Sequence, residues 1–95
     1  MEDKIVNAGF EIVQELHIAD SVLVLGVNPE LVGKKLTTPY VTWECDKDKK
    51  NFWWGHYHKN EYSAERDLVK RGMEKVRFYD RQKGIVKENK ERDER

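Results

Sequence analysis

All three tryptophans and two of the three histidines of this 95-residue chain crowd into one stretch, Val41–His58. His56 and His58 form an H-x-H pair, which on a strand presents two imidazoles on one side, as a metal would require. Zinc needs a third and a fourth ligand, or three and a water. Cys45, Glu44 and His17 are the only candidates nearby, and none stands at a diagnostic spacing. Cys45 beside His56 would pair a nucleophile with a base only if the hairpin register aligned them, and no activating motif surrounds the cysteine. A cysteine in a strand is more often a small buried hydrophobe. Glu44 lacks a second carboxylate at a defined distance for acid–base work. Gly26-Val27-Asn28-Pro29 and Gly33-Lys34-Lys35 match neither phosphate-loop nor dinucleotide fingerprints. The expectation is a protein with no catalytic residues, no metal and no cofactor.

What remains is an aromatic surface. Alternation along Phe52–Tyr57 sends Phe52, Trp54 and His56 one way and Trp53 and Tyr57 the other. One of these faces is core. The second either enlarges a small core or forms an exposed patch of the kind that marks partner sites. Hairpin register decides which residues share a face, because a one-residue slip exchanges the two sides. A five-residue turn would pair Cys45 with Asn51 and place Trp43 beside Trp53; a four- or six-residue turn would put Trp43 with Trp54 and His56. The five-residue turn sorts the residues better. It groups Val41, Trp43, Cys45, Trp53 and Tyr57 under a helix and leaves Tyr40, Thr42, Glu44, Phe52, Trp54, His56 and His58 as the candidate binding face.

The elements that must position these residues follow from periodicity. Phe10, Ile12, Leu16 and Ile18 alternate with polar residues, the pattern of a half-buried strand. A rival N-terminal helix through Ile5, Ile12, Val13 and Leu16 is disfavoured by Gly9. Ser21–Val27 is almost wholly apolar and reads as a central strand covered on both faces. Pro39–Cys45 and Phe52–Tyr57 form a hairpin across the charged turn DKDKKN. From Asn60 the period becomes helical, with Leu68, Val69, Gly72, Met73, Val76 and Tyr79 on one side. Glu65, Arg66, Lys70, Arg71, Glu74 and Lys75 fill the other as a salt-bridged surface. Asn60 or Ser63 can cap the helix, and Lys83-Gly84 can stop it. The expected architecture is α+β: a four-stranded, mainly antiparallel sheet with one C-terminal helix, roughly residues 61–82, packed on one face. A single domain spans residues 1–86, and a charged segment follows at 87–95.

Composition narrows the function classes. Charged residues make up 38% of the chain, yet ten aromatics argue for a folded domain over a disordered one. Eighteen basic residues balance eighteen acidic ones, which weighs against whole-surface binding to nucleic acid. One cysteine excludes an internal disulfide framework. No apolar run reaches the length of a membrane span, and no signal peptide is evident, so a cytoplasmic protein is expected.

The stretch YVTWEC…FWWGHY at Tyr40–Tyr57, with SAERDL at Ser63–Leu68 and LVLGVNP at Leu23–Pro29, resembles small uncharacterised proteins carried by phages and conjugative elements of Gram-positive bacteria. The resemblance covers about two-thirds of the chain and brings no catalytic residues. It implies a mobile-element setting, in which small domains often inhibit or divert host proteins. The expected function is a non-catalytic binding module acting through protein–protein contact, including self-association as a homodimer. The alternative is a single-strand nucleic-acid binder that uses aromatic stacking together with Lys47, Lys49, Lys50 and the basic residues of the helix.

Overall fold

The computed structural model describes residues 4–83, so the expected boundary at residue 86, the segment 87–95 and the stop at Gly84 lie outside the described residues. The chain forms β1 (Val6–Asn7), β2 (Phe10–Ile18), β3 (Ser21–Val27), β4 (Tyr40–Cys45), β5 (Phe52–His58) and α1 (Glu61–Lys83). The strands make one antiparallel meander in the order β1-β2-β3-β4-β5, against which α1 packs. The α+β architecture is as expected, with one more strand. That strand, β1, has only two residues, too few to show a period. Its hairpin turn is Ala8-Gly9, both at positive φ (53° and 87°), a geometry that Asn-Gly advertises more plainly than Ala-Gly does.

β3 is buried on both faces, as its continuous apolar run requires. Leu23 and Leu25 enter a cluster with Ala64 and Leu68 of α1, while Val22 and Val24 join Phe10, Val41, Trp43 and Cys45 on the opposite side. β2 departs from the expected simple alternation. Its ladder with β3 slips between Ile12 and Gln14, so Ile12 pairs with Gly26 whereas Gln14 pairs with Leu25. The slip splits the apolar set. Phe10 and Ile12 pack on the Trp43 cluster, while Leu16 packs on the helix side, where Gln14 donates to Glu65 of α1 at 3.0 Å. Gln14, the polar residue in the middle of the alternation, is the trace of that change of phase.

One helix covers one face, and the sheet covers the other itself. Phe10 of β2 meets Tyr57 of β5 with ring centroids 5.8 Å apart, and meets Trp43 at 5.7 Å. Three strand spacings separate β2 from β5, about 14 Å in a flat sheet. Rings that touch across that interval require the sheet to curl, so that Phe10, Trp43, Phe52 and Tyr57 fill its concave side. Five strands without a second layer thereby bury Phe10 and Trp43 on this side, with Tyr57 half-exposed at its rim.

Asn60 caps α1: its Oδ1 accepts from the Ser63 N–H at 2.8 Å, the capping expected of Asn. The acid Glu61 in its first turn and Arg81 and Lys83 in its last complement the helix dipole. Its buried residues are Ala64, Leu68, Arg71 and Gly72, whereas Val69 and Met73 are exposed. The covered stripe is therefore rotated from the expected one. Gly72 explains part of the rotation, because a Cβ there would lie 2.5 Å from Leu16 Cδ2, so the helix approaches β2 most closely on this side. No helix among the described residues is long and apolar enough to cross a membrane.

Two substitutions test the concave core. Trp43 is 5% exposed, so Trp43→Ala is expected to cost about 3–5 kcal/mol in urea unfolding. A Cβ on Gly55 would sit 2.8 Å from Trp43 Nε1, so Gly55→Ala is expected to cost about 1–3 kcal/mol by forcing the buried indole aside.

Candidate functional site

The β4–β5 hairpin closes through six residues, not five, because Cys45 pairs with Phe52. Asp46 sets this length. Its carboxylate accepts from the Lys50 N–H at 2.9 Å, the Asn51 N–H at 3.3 Å and Asn51 Nδ2 at 2.8 Å, while Lys49 takes φ 58°. Glu44 then opposes Trp53, but Thr42 opposes His56, so two residues of β5, Trp54 and Gly55, face Trp43 alone. This is a β-bulge, and its first residue, Trp54, is held at φ 56°. A bulky aromatic in left-handed backbone is strained by about 1–3 kcal/mol.

The helix lies on the opposite face from the one expected, and the six-residue turn exchanges Phe52 and Trp53 between the two faces. The helix covers the side of Tyr40, Thr42, Glu44, His56 and His58, not that of Val41, Trp43 and Cys45. Tyr40 packs on the Leu23, Leu25, Ala64 and Leu68 cluster, and Thr42 and Glu44 are buried. Phe52 leaves the group altogether, since the six-residue turn places it with Cys45 and against Trp43 at 5.2 Å. Trp53, expected beside Trp43, opposes Glu44 instead. Of the seven candidate residues only Trp54, two-thirds exposed, and His56 remain open, while His58 is half-buried.

The residues brought together form a polar layer beneath α1. Thr42 Oγ1 donates to Asp67 Oδ2 at 2.6 Å, and His56 Nδ1 shares that oxygen at 2.8 Å. His58 Nε2 stands 3.5 Å from the same atom, buried and without a hydrogen-bond partner. The two imidazoles thus converge on one carboxylate, an arrangement that orients α1 on the hairpin. Arg71 Nη1 donates to the Thr42 carbonyl at 3.0 Å and to Thr42 Oγ1 at 3.1 Å, beside the bulge. Lys75 holds Glu44 at 3.0 Å. None of the ion pairs among the described residues joins two helix residues; those that α1 makes, through Asp67 and Lys75, go to the sheet.

Between α1 and β5 this layer opens into a cleft of about 320 Å³, lined by Leu23, Glu44, Trp54, His56, Arg71, Glu74, Lys75 and Phe78. Trp54 and Phe78 give it aromatic walls, and Lys75 Nζ lies 5.7 Å from the Phe78 ring centroid. Cys45 contributes nothing here. It is buried opposite Phe52, and burial pushes its thiol up to about 11, far from the thiolate a nucleophile needs. Among the described residues no group of three or more His, Cys, Asp or Glu side chains is placed to hold a metal ion.

Arg71 is the residue that sequence reasoning missed. A charged residue amid Lys70, Glu74 and Lys75 reads as surface. The available signal was its spacing, three residues from Leu68 and one from Gly72, on the stripe that Gly72 draws toward the sheet.

Asp67 supplies a pH test. Burial alone would raise its carboxyl, but the hydrogen bonds from Thr42 and His56 and the charges of His56 and His58 outweigh that and hold it below 3.8. A carboxylate lowered on folding contributes stability that is fully present above the unfolded value and lost as pH falls through the folded one. Urea unfolding across the acid range should therefore show stability falling below pH 3.8. Asp67→Asn should flatten part of that fall and lose about 1–3 kcal/mol at neutral pH by breaking the contacts to Thr42 and His56. Glu15 and Asp46 are lowered too, so the difference between wild type and variant isolates Asp67.

No protein-family model, no curated protein and no solved structure matches the chain.

Proposed function

We propose that this chain is a non-catalytic docking domain that binds a protein partner through the Trp54 cleft. The observation that carries the reading is the conjunction at Trp54: a tryptophan 66% exposed, in a backbone conformation that disfavours it, on the rim of the cleft. A side chain that stabilises its own core would be buried and relaxed; this one is neither. Trp and Arg are the residues that dominate binding energy at protein interfaces, and both border this cleft. The resemblance to small phage and conjugative-element proteins makes a host protein the partner class to search first.

Nucleic-acid binding has less support. Lys47 is engaged by Asp20 at 3.1 Å, Lys49 by Glu15 at 3.3 Å and Lys75 by Glu44 at 3.0 Å, so lysines expected to follow a phosphate backbone already face carboxylates. Acid–base catalysis has the His56–Asp67 pair but no nucleophile beside it in the cleft.

Trp54→Gly separates docking from folding. Glycine relieves the positive φ while the variant loses the ring contact with Trp53, so stability is expected to stay within about 1 kcal/mol of wild type. Partner capture, or self-association measured by light scattering, is expected to fall at least tenfold. A variant that docks as wild type does, or a wild-type chain that neither self-associates nor captures a protein, would overturn the reading.

A further inference from the structure

Arg71 carries a charge that the fold does not pair. The residue is 8% exposed, and a buried guanidinium is costly unless a carboxylate meets it. Its hydrogen bonds go from one nitrogen, Nη1, to two neutral acceptors, the carbonyl and hydroxyl oxygens of Thr42. Guanidinium offers five N–H donors in a planar fork. Burial works against the charge, and Asp67, Glu44 and Glu74 offset this only from a distance. Two of those three are committed elsewhere: Asp67 accepts from Thr42 and His56, and Glu44 is held by Lys75. Glu74 is exposed at the rim. Arg71 lines the cleft beside Trp54 and Phe78.

We infer that the cleft receives a carboxylate side chain from an extended segment of the partner protein, taken up by Arg71, with an apolar neighbour in that segment resting on Trp54 and Phe78. The inference rests on the docking reading and names the chemistry that the partner presents. Arg pairs bidentately with carboxylate and phosphate alike. Here the surroundings favour the former: Asp67, Glu44 and Glu74 lie near enough to act on the Arg71 charge, and they repel a phosphate dianion more strongly than a single carboxylate. The bulge blunts the edge of β5 for ladder pairing, so recognition falls to side chains entering the cleft.

The test titrates the full chain, at low salt, with a blocked hexapeptide alternating leucine and glutamate and with its glutamine counterpart, following tryptophan fluorescence. The glutamate peptide is expected to bind at least tenfold more tightly. Arg71→Met should abolish that preference. Because this variant also loses the bonds to Thr42, melting is followed in parallel. Arg71→Lys, which keeps the charge without the fork, should stay folded and lose most of the preference. Equal affinity for the two peptides in wild type, an undiminished preference in Arg71→Lys, or equally tight binding of sodium acetate or oligothymidylate would overturn the inference. Equal affinities that still depend on Trp54 would remove the carboxylate and leave the docking reading standing.

Discussion

The indole of Trp43 crosses the backbone of β5 at Gly55, and most of this molecule follows from that crossing. Nε1 lies 2.8 Å from where a Cβ on residue 55 would sit, so the indole keeps this place only against glycine. The ring reaches Tyr57 and Phe52 along β5 and Phe10 across the sheet, and these contacts draw the strands into their curl. Curling gives the sheet a filled concave side without a second layer. The convex side is left to α1. A side chain at residue 55 would push the indole out and take away the reason for the curl.

Once the apolar contacts are made on the concave side, the contact between α1 and the sheet is divided. Toward β2 and β3 it is aliphatic, with Ala64, Leu68 and Gly72 against Leu16, Leu23 and Leu25. Toward β4 and β5 it is polar, with Thr42 at its centre, donating to Asp67 and accepting from Arg71. Buried polar groups have to be satisfied together, because each unmade hydrogen bond is costly at low dielectric. Asp67 and Thr42 are satisfied, whereas Arg71 has a free fork and His58 Nε2 lacks a partner. The unfinished part of the network lies along β5, where the strand carries its extra residue.

Much of the fold was legible because its signals are local. Ser21–Val27 could only be a doubly covered strand, and the change of period at Asn60 marked the helix. Sheet faces were less legible because they depend on single-residue slips. One slip at Val13 divides the apolar residues of β2, and another at Trp54 inserts a residue into β5. The six-residue turn depended on the Asp46 side chain, a hydrogen-bonding choice that alternation cannot reveal. Grouping Tyr40, Thr42, Glu44, His56 and His58 on one face was correct even so, since turn and bulge each shift the pairing by one and the two shifts cancel in parity. Placing that face in the open was not correct. Covering it required Arg71, a charge that composition assigns to the surface, to serve as a buried contact.

On the docking function proposed above, Trp54 is an inserted residue that serves recognition and that folding does not need. With Trp54 deleted, Gly55 faces Trp43 directly, while Glu44–Trp53 and Thr42–His56 keep their pairing in a regular ladder. The most direct measurement is the unfolding free energy of that deletion variant in urea. A value within about 1 kcal/mol of wild type or above it is expected, because a strained residue has been removed and no buried one lost. A loss of more than about 3 kcal/mol, the size of a core truncation, would instead make the bulge a structural necessity, with Trp54 held for folding.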